Sequence, residues 1–70
     1  MKIIRVEKSS CVFGDRVIVE CEVEKPYARP TYRISTMRDG SNAEEVAAAQ
    51  RLVVGAEFDL AKFPGAKELI

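Results

Sequence analysis

An α+β fold, with a three- or four-stranded antiparallel sheet and one α-helix packed on one face, is predicted by three features of the chain. Apolar and polar residues alternate strictly from 16 to 24, a helix-opening signature stands at 41–44, and Gly or Pro recurs where the chain must reverse. Helix on sheet is the simplest two-layer arrangement that buries both kinds of apolar face. Residues 1–70 form one small domain, and a chain of this length buries only about 60% of the surface its unfolded form exposes.

The second strand is the clearest element. In Arg16-Val-Ile-Val-Glu-Cys-Glu-Val-Glu24, Val17, Val19, Cys21 and Val23 fall on one side, with Ile18, Glu20, Glu22 and Glu24 on the other. Before it, Gly14-Asp15 reads as a type II′ hairpin turn, because glycine suits the first central position. That turn sets Val12 opposite Val17, Ser10 opposite Val19, Lys8 opposite Cys21 and Val6 opposite Val23, so Val6 and Val12 join the core. On the reverse face it opposes Glu7 to Glu22 and Arg5 to Glu24. Repulsion between Glu7 and Glu22, or a bulge at Ser9-Ser10, would disturb this register. Cys11 and Cys21 point to opposite faces, so no disulfide is expected.

Two prolines, Pro26 and Pro30, make 25–30 a semi-rigid loop, since proline cannot donate to a ladder. Thr31 to Met37 alternates again, with Tyr32, Ile34 and Thr36 on one side, and is the third strand. Ser41 and Glu44 form a capping box that opens a helix over 41–54, which carries Ala43, Val46, Ala47, Ala49, Leu52, Val53 and Ala56 along its apolar stripe. Gly55 stops that helix. Residues 56–60 read as a short fourth strand in preference to a docking segment, Pro64-Gly65 as a turn, and 66–70 as an apolar-ended tail.

Composition narrows the function. With 47% hydrophobic and 31% charged residues the chain is too apolar for disorder and too interrupted by charge to span a membrane. Eleven cationic and eleven anionic side chains cancel, so any electrostatic partner must meet a local patch. Lys2, Arg5 and Glu7 leave no room for a signal peptide's apolar run, and cytoplasmic residence is the expectation. There is no histidine, which removes the usual base of nucleophilic triads and, with only two cysteines, a four-ligand zinc site. No catalytic residues, metal or cofactor are expected.

Two surfaces remain. Glu7, Glu20, Glu22 and Glu24 share one sheet face, where successive glutamates on a strand stand about 6.5–7 Å apart. Such a row suits a basic protein partner, although a plain solvated face partly neutralised by Arg5 and Arg33 is the reading it must beat. Tyr27, Arg29, Arg33 and Arg38 form the second, basic-aromatic surface. By elimination the chain reads as a non-enzymatic protein-binding module, an adaptor or inhibitor of a larger protein complex, in the style of the compact inhibitors that viruses and mobile elements encode. The alternative is a single-stranded nucleic-acid-binding domain using 25–38. An exposed strand edge would also allow a homodimer by strand pairing.

Overall fold

The computed structural model describes residues 1–23, 29–37 and 39–69. Four antiparallel strands, β1 (Lys2–Cys11), β2 (Gly14–Glu22), β3 (Thr31–Ser35) and β4 (Lys67–Leu69), form one sheet in the order β1-β2-β3-β4. One helix, α1 (Ala43–Gln50), packs against β2 and β3, and a single 3₁₀ turn spans Leu60–Lys62. The α+β class read from the sequence is the observed one. The long β1–β2 hairpin extends about 33 Å for ten residues of strand, comparable with the 37 Å longest extent of the molecule.

The alternation in β2 does what its period requires. Val17, Val19 and Cys21 are fully buried, and with Ile3, Tyr32, Ile34, Val46, Ala49, Phe58 and Phe63 they make the core. The hairpin register differs from the expected one. Val6 opposes Val19 rather than Val23, Lys8 opposes Val17, and Cys11 opposes Gly14. The reason is the role of Gly14. It does not open a type II′ turn but follows a two-residue turn of Val12 and Phe13, holding φ +127° where no described non-glycine residue has a positive φ. Glycine adopts such a positive φ at little steric cost, which fits it to close the ladder directly after the turn. Because the slip is four residues, an even number, each strand keeps its faces, and Cys11 and Cys21 lie on opposite sides as free thiols.

Two consequences correct the expected core. Val12 is 94% exposed at the hairpin tip instead of packing on Val17. The bulge falls between Ile3 and Arg5 rather than at Ser9-Ser10, and this extra residue turns Ile3 inward to oppose Cys21. Glu7 opposes Ile18, so the anticipated Glu7–Glu22 repulsion does not arise.

The helix is shorter than expected at both ends. The capping box does not form: Asp39 Oδ1 accepts the Ser41 amide N–H at 3.0 Å, and Asn42 occupies the N-cap without a side-chain cap bond. The Asn42 amide is engaged elsewhere. Its Nδ2 donates to the Ser35 carbonyl at 2.6 Å and its Oδ1 accepts the Met37 N–H at 2.9 Å, satisfying the stretch of β3 edge beyond β4. Val46 and Ala49 are buried, Leu52 is half-buried, and Ala43, Ala47 and Val53 are exposed, so the apolar stripe is narrower than the spacing suggested. Gln50 Nε2 ties the helix end to Asp15 Oδ2 at 3.1 Å.

The fourth strand is 67–69, not 56–60. Residues 55–58 instead clasp the start of β1: Ile3 N–H donates to Ala56 O at 2.9 Å, Gly55 N–H to Ile3 O at 2.8 Å, and Phe58 N–H to Met1 O at 2.7 Å. This run cannot continue as a strand because Asp59 Oδ1 caps the 3₁₀ turn through the Ala61 N–H. The two bends carry Phe58 and Phe63 inward, where Phe58 stacks on Tyr32 at 5.4 Å between ring centroids and on Phe63 at 5.3 Å. Pro64 and Gly65 then turn the chain into β4, as expected.

Candidate functional site

The sheet face away from the helix carries the candidate residues. Alternation and register place Arg5 and Glu7 of β1, Arg16, Ile18, Glu20 and Glu22 of β2, Thr31, Arg33 and Ser35 of β3, and Lys67 of β4 on this side. The charges are sorted. Arg5 opposes Glu20 and reaches two carboxylates, Nη1 to Glu7 Oε1 at 2.8 Å and Nε to Glu20 Oε2 at 3.6 Å. Glu22 lies opposite Lys2. Each exposed pair contributes only about 0.2–1 kcal/mol, and Glu22 forms no ion pair among the described residues.

The other half of the face is different. Arg33 lies directly opposite Lys67, and Arg16 stands opposite Ser35, one pleat along from Arg33. None of the three has an acidic partner within 4.0 Å among the described residues. The surface expected to be acidic is therefore mixed, with Glu7 and Glu20 paired to Arg5 towards β1 and cations without an ion pair across β2, β3 and β4. Glu24 lies outside the described residues.

The basic-aromatic segment is dispersed. Tyr27 and Arg38 lie outside the described residues. Tyr32 is 8% exposed with its ring on Phe58, so it offers no stacking surface, and burial pushes its hydroxyl above the ordinary value. Arg29 is exposed beside the start of β3, where its carbonyl accepts the Thr31 hydroxyl at 3.3 Å. Arg33 belongs to the sheet face instead.

Sequence reasoning missed the hairpin tip. Val12 and Phe13, 94% and 86% exposed, are the two most exposed large apolar residues described. The signal was available: Val-Phe before Gly is poor turn chemistry, where Asn, Asp or Gly ordinarily stand. Phe13 and Arg16 line one shallow depression of about 280 Å³ with Cys11, Ser35 and Thr36, so the tip adjoins the cationic half of the face. A larger groove of about 560 Å³ lies beside the open end of β3, with Arg33 and Lys67 on one wall and Asn42 and Glu45 on the other. Glu45 is held there by the Gly65 N–H at 2.9 Å.

The outer edge of β1 beyond Ile3 has no backbone partner among the described residues. Its bulge and the exposed Lys8 are both devices that discourage strand addition. Among the described residues no three Cys, Asp or Glu side chains group as metal ligands, and no helix is long and apolar enough to cross a membrane.

The thiols give a direct test of the burial pattern. Burial pushes the Cys21 thiol above its ordinary 9.0, so thiolate forms less readily in the folded chain than in the unfolded one. That stabilisation is complete below pH 9 and is lost as pH climbs through the raised folded value. Buried Tyr32, raised above its ordinary 10.0, acts in the same direction at higher pH. Denaturant midpoints are expected to fall from about pH 9 upward, and at neutral pH Ellman's reagent should titrate Cys11 at once and Cys21 only on unfolding. Equal native rates for both thiols would contradict the buried position of Cys21.

No protein family model, curated protein or solved structure matches this chain.

Proposed function

We propose that the protein is a non-enzymatic protein-binding module, an adaptor or inhibitor of a larger protein, which engages its partner through the β1–β2 hairpin tip. The observation that supports this is the exposure of Val12 and Phe13 on a turn in which only Gly14 meets a backbone requirement. Neither side chain adds to the core, and polar turn formers would serve the fold better. An exposed aromatic beside an aliphatic residue at a hairpin tip has the character of an interface anchor. Transferring each side chain into a partner's pocket yields about 1.5–3 kcal/mol. Glu20 and Glu22, at the end of β2 away from the tip, lie outside such a contact.

The test replaces both residues, Val12→Asn with Phe13→Asp. The melting temperature is expected to hold or rise, while proteins retained by the immobilised wild-type chain are lost. A control with Glu20→Lys and Glu22→Lys should keep them. If the tip variant folds and retains the same proteins, the tip is not the anchor.

A further inference from the structure

We propose that the partner surface this protein fits is acidic: a carboxylate-rich protein segment lying across Arg16, Arg33 and Lys67, beside the hairpin tip. This deepens the protein-binding reading by naming the chemistry of the partner.

The starting observation is the sorting of charge on one face. Glu7 and Glu20 pair with Arg5, and Glu22 faces Lys2 across β1 and β2 without an ion pair. Arg33 and Lys67 oppose each other directly across β3 and β4, an arrangement that costs stability because like charges on facing strand positions repel. Arg16 adds a third positive charge on the same face, about 6.5–7 Å further along as strand spacing sets it. Glu20, one pleat from Arg33 in the other direction, is held by Arg5, and the two acids lining the neighbouring groove are otherwise engaged. Glu45 accepts the Gly65 N–H and Asp39 accepts the Ser41 N–H, and neither comes within 4.0 Å of a cation. Hydrogen bonding to Ser41 also holds Asp39 below its ordinary value, consistent with a carboxylate already satisfied. The three cations therefore lack an internal counter-charge among the described residues, and an external carboxylate supplies it.

A protein segment fits better than a nucleic-acid strand. A chain of phosphates crossing this face would meet Glu7, Glu20 and Glu22 on the same side, and Tyr32, which could have stacked a base, is turned into the core. An acidic segment can end where those glutamates begin. The neighbouring Phe13, contiguous with Arg16, then anchors the same partner.

The experiment titrates an oligoglutamate peptide, and separately an oligothymidine, into the full isotope-labelled chain while backbone amide signals are followed. The peptide is expected to shift Arg16, Arg33, Lys67 and their strand neighbours, with affinity falling steeply as salt is raised. Lys67→Glu provides the decisive variant, because a carboxylate opposite Arg33 relieves the repulsion. It should raise the melting temperature while weakening the peptide about tenfold, a change of about 1.4 kcal/mol. Arg16→Ser should weaken it less without moving the melting temperature. Peptide shifts confined to other residues, an affinity for the Lys67→Glu chain within about twofold of wild type, or oligothymidine binding tighter than the peptide would each overturn the proposal. A Val12→Asn, Phe13→Ser chain, which adds no charge beside Arg16, should bind the peptide normally, so failure of the tip as an anchor and failure of the acidic-partner assignment are read separately.

Discussion

Phe58→Ala is expected to leave the domain largely unfolded at room temperature. Phe58 is 1% exposed and is the middle ring of the Tyr32–Phe58–Phe63 stack. Truncating a buried phenylalanine costs about 3–5 kcal/mol, because transfer energy is lost and the cavity does not fully close. A natural domain of this size has about 3.5–10 kcal/mol in all, at 0.05–0.15 kcal/mol per residue. The loss is therefore comparable with the total. Phe58→Leu, which keeps most of the volume, should cost about 1–1.5 kcal/mol and still fold. Circular dichroism melts decide the matter: an alanine variant melting within a few degrees of wild type would show that this ring does not close the core.

Gly14→Ala should be the next most damaging single-methyl change. At φ +127° the added Cβ is strained, and it would stand 2.7 Å from the Thr36 Cβ, nearer than side chains approach. Thr36 cannot easily retreat. Its N–H donates to Asp15 O at 2.9 Å, and its Oγ1 accepts the Asp15 N–H at 3.0 Å. Backbone strain and overpacking each cost about 1–3 kcal/mol, so a combined loss of about 2–4 kcal/mol is expected. At about 4–8 °C per kcal/mol for a domain of this size, the melting temperature should fall by roughly 10–25 °C. Gly55→Ala isolates the strain, since Gly55 has φ +94° with nothing within 4 Å of the added Cβ. It should lose much less. Equal losses at the two positions would mean that the Thr36 contact is unimportant.

These two residues also mark where sequence reading succeeds and fails. Strand β2 was legible because its period of two is local, and its face assignment survived a wrong register because the slip was even. Phe58 and Phe63 gave no periodic signal, since they enter the core from irregular chain on either side of a 3₁₀ turn. The capping signature at 41–44 failed for a different reason. Asn42 was drawn to the unpaired edge of β3, a demand that exists only once the sheet has formed.

The candidate surface divides along the same line. Each glutamate and arginine could be assigned to a face from alternation alone, and Arg5 does neutralise part of the acidic row as its position suggested. Which cations stay without an ion pair depended on which strand lies beside which, and Lys67 entered the face only through β4, three residues with no alternation to mark them as a strand.

By itself the sequence determined the class of the fold, the inward and outward sides of its strands and the opposed placement of the two thiols. All of these follow from contacts between residues near in the chain or from a strict period. The tertiary structure alone decided the hairpin register, the exposed Val12-Phe13 tip, the aromatic stack and the Arg33–Lys67 opposition. The stack and the cation pair join residues far apart in the chain, Tyr32 with Phe58 and Arg33 with Lys67, whereas the register and the tip turn on a choice between two adjacent local turns that a period of two does not distinguish.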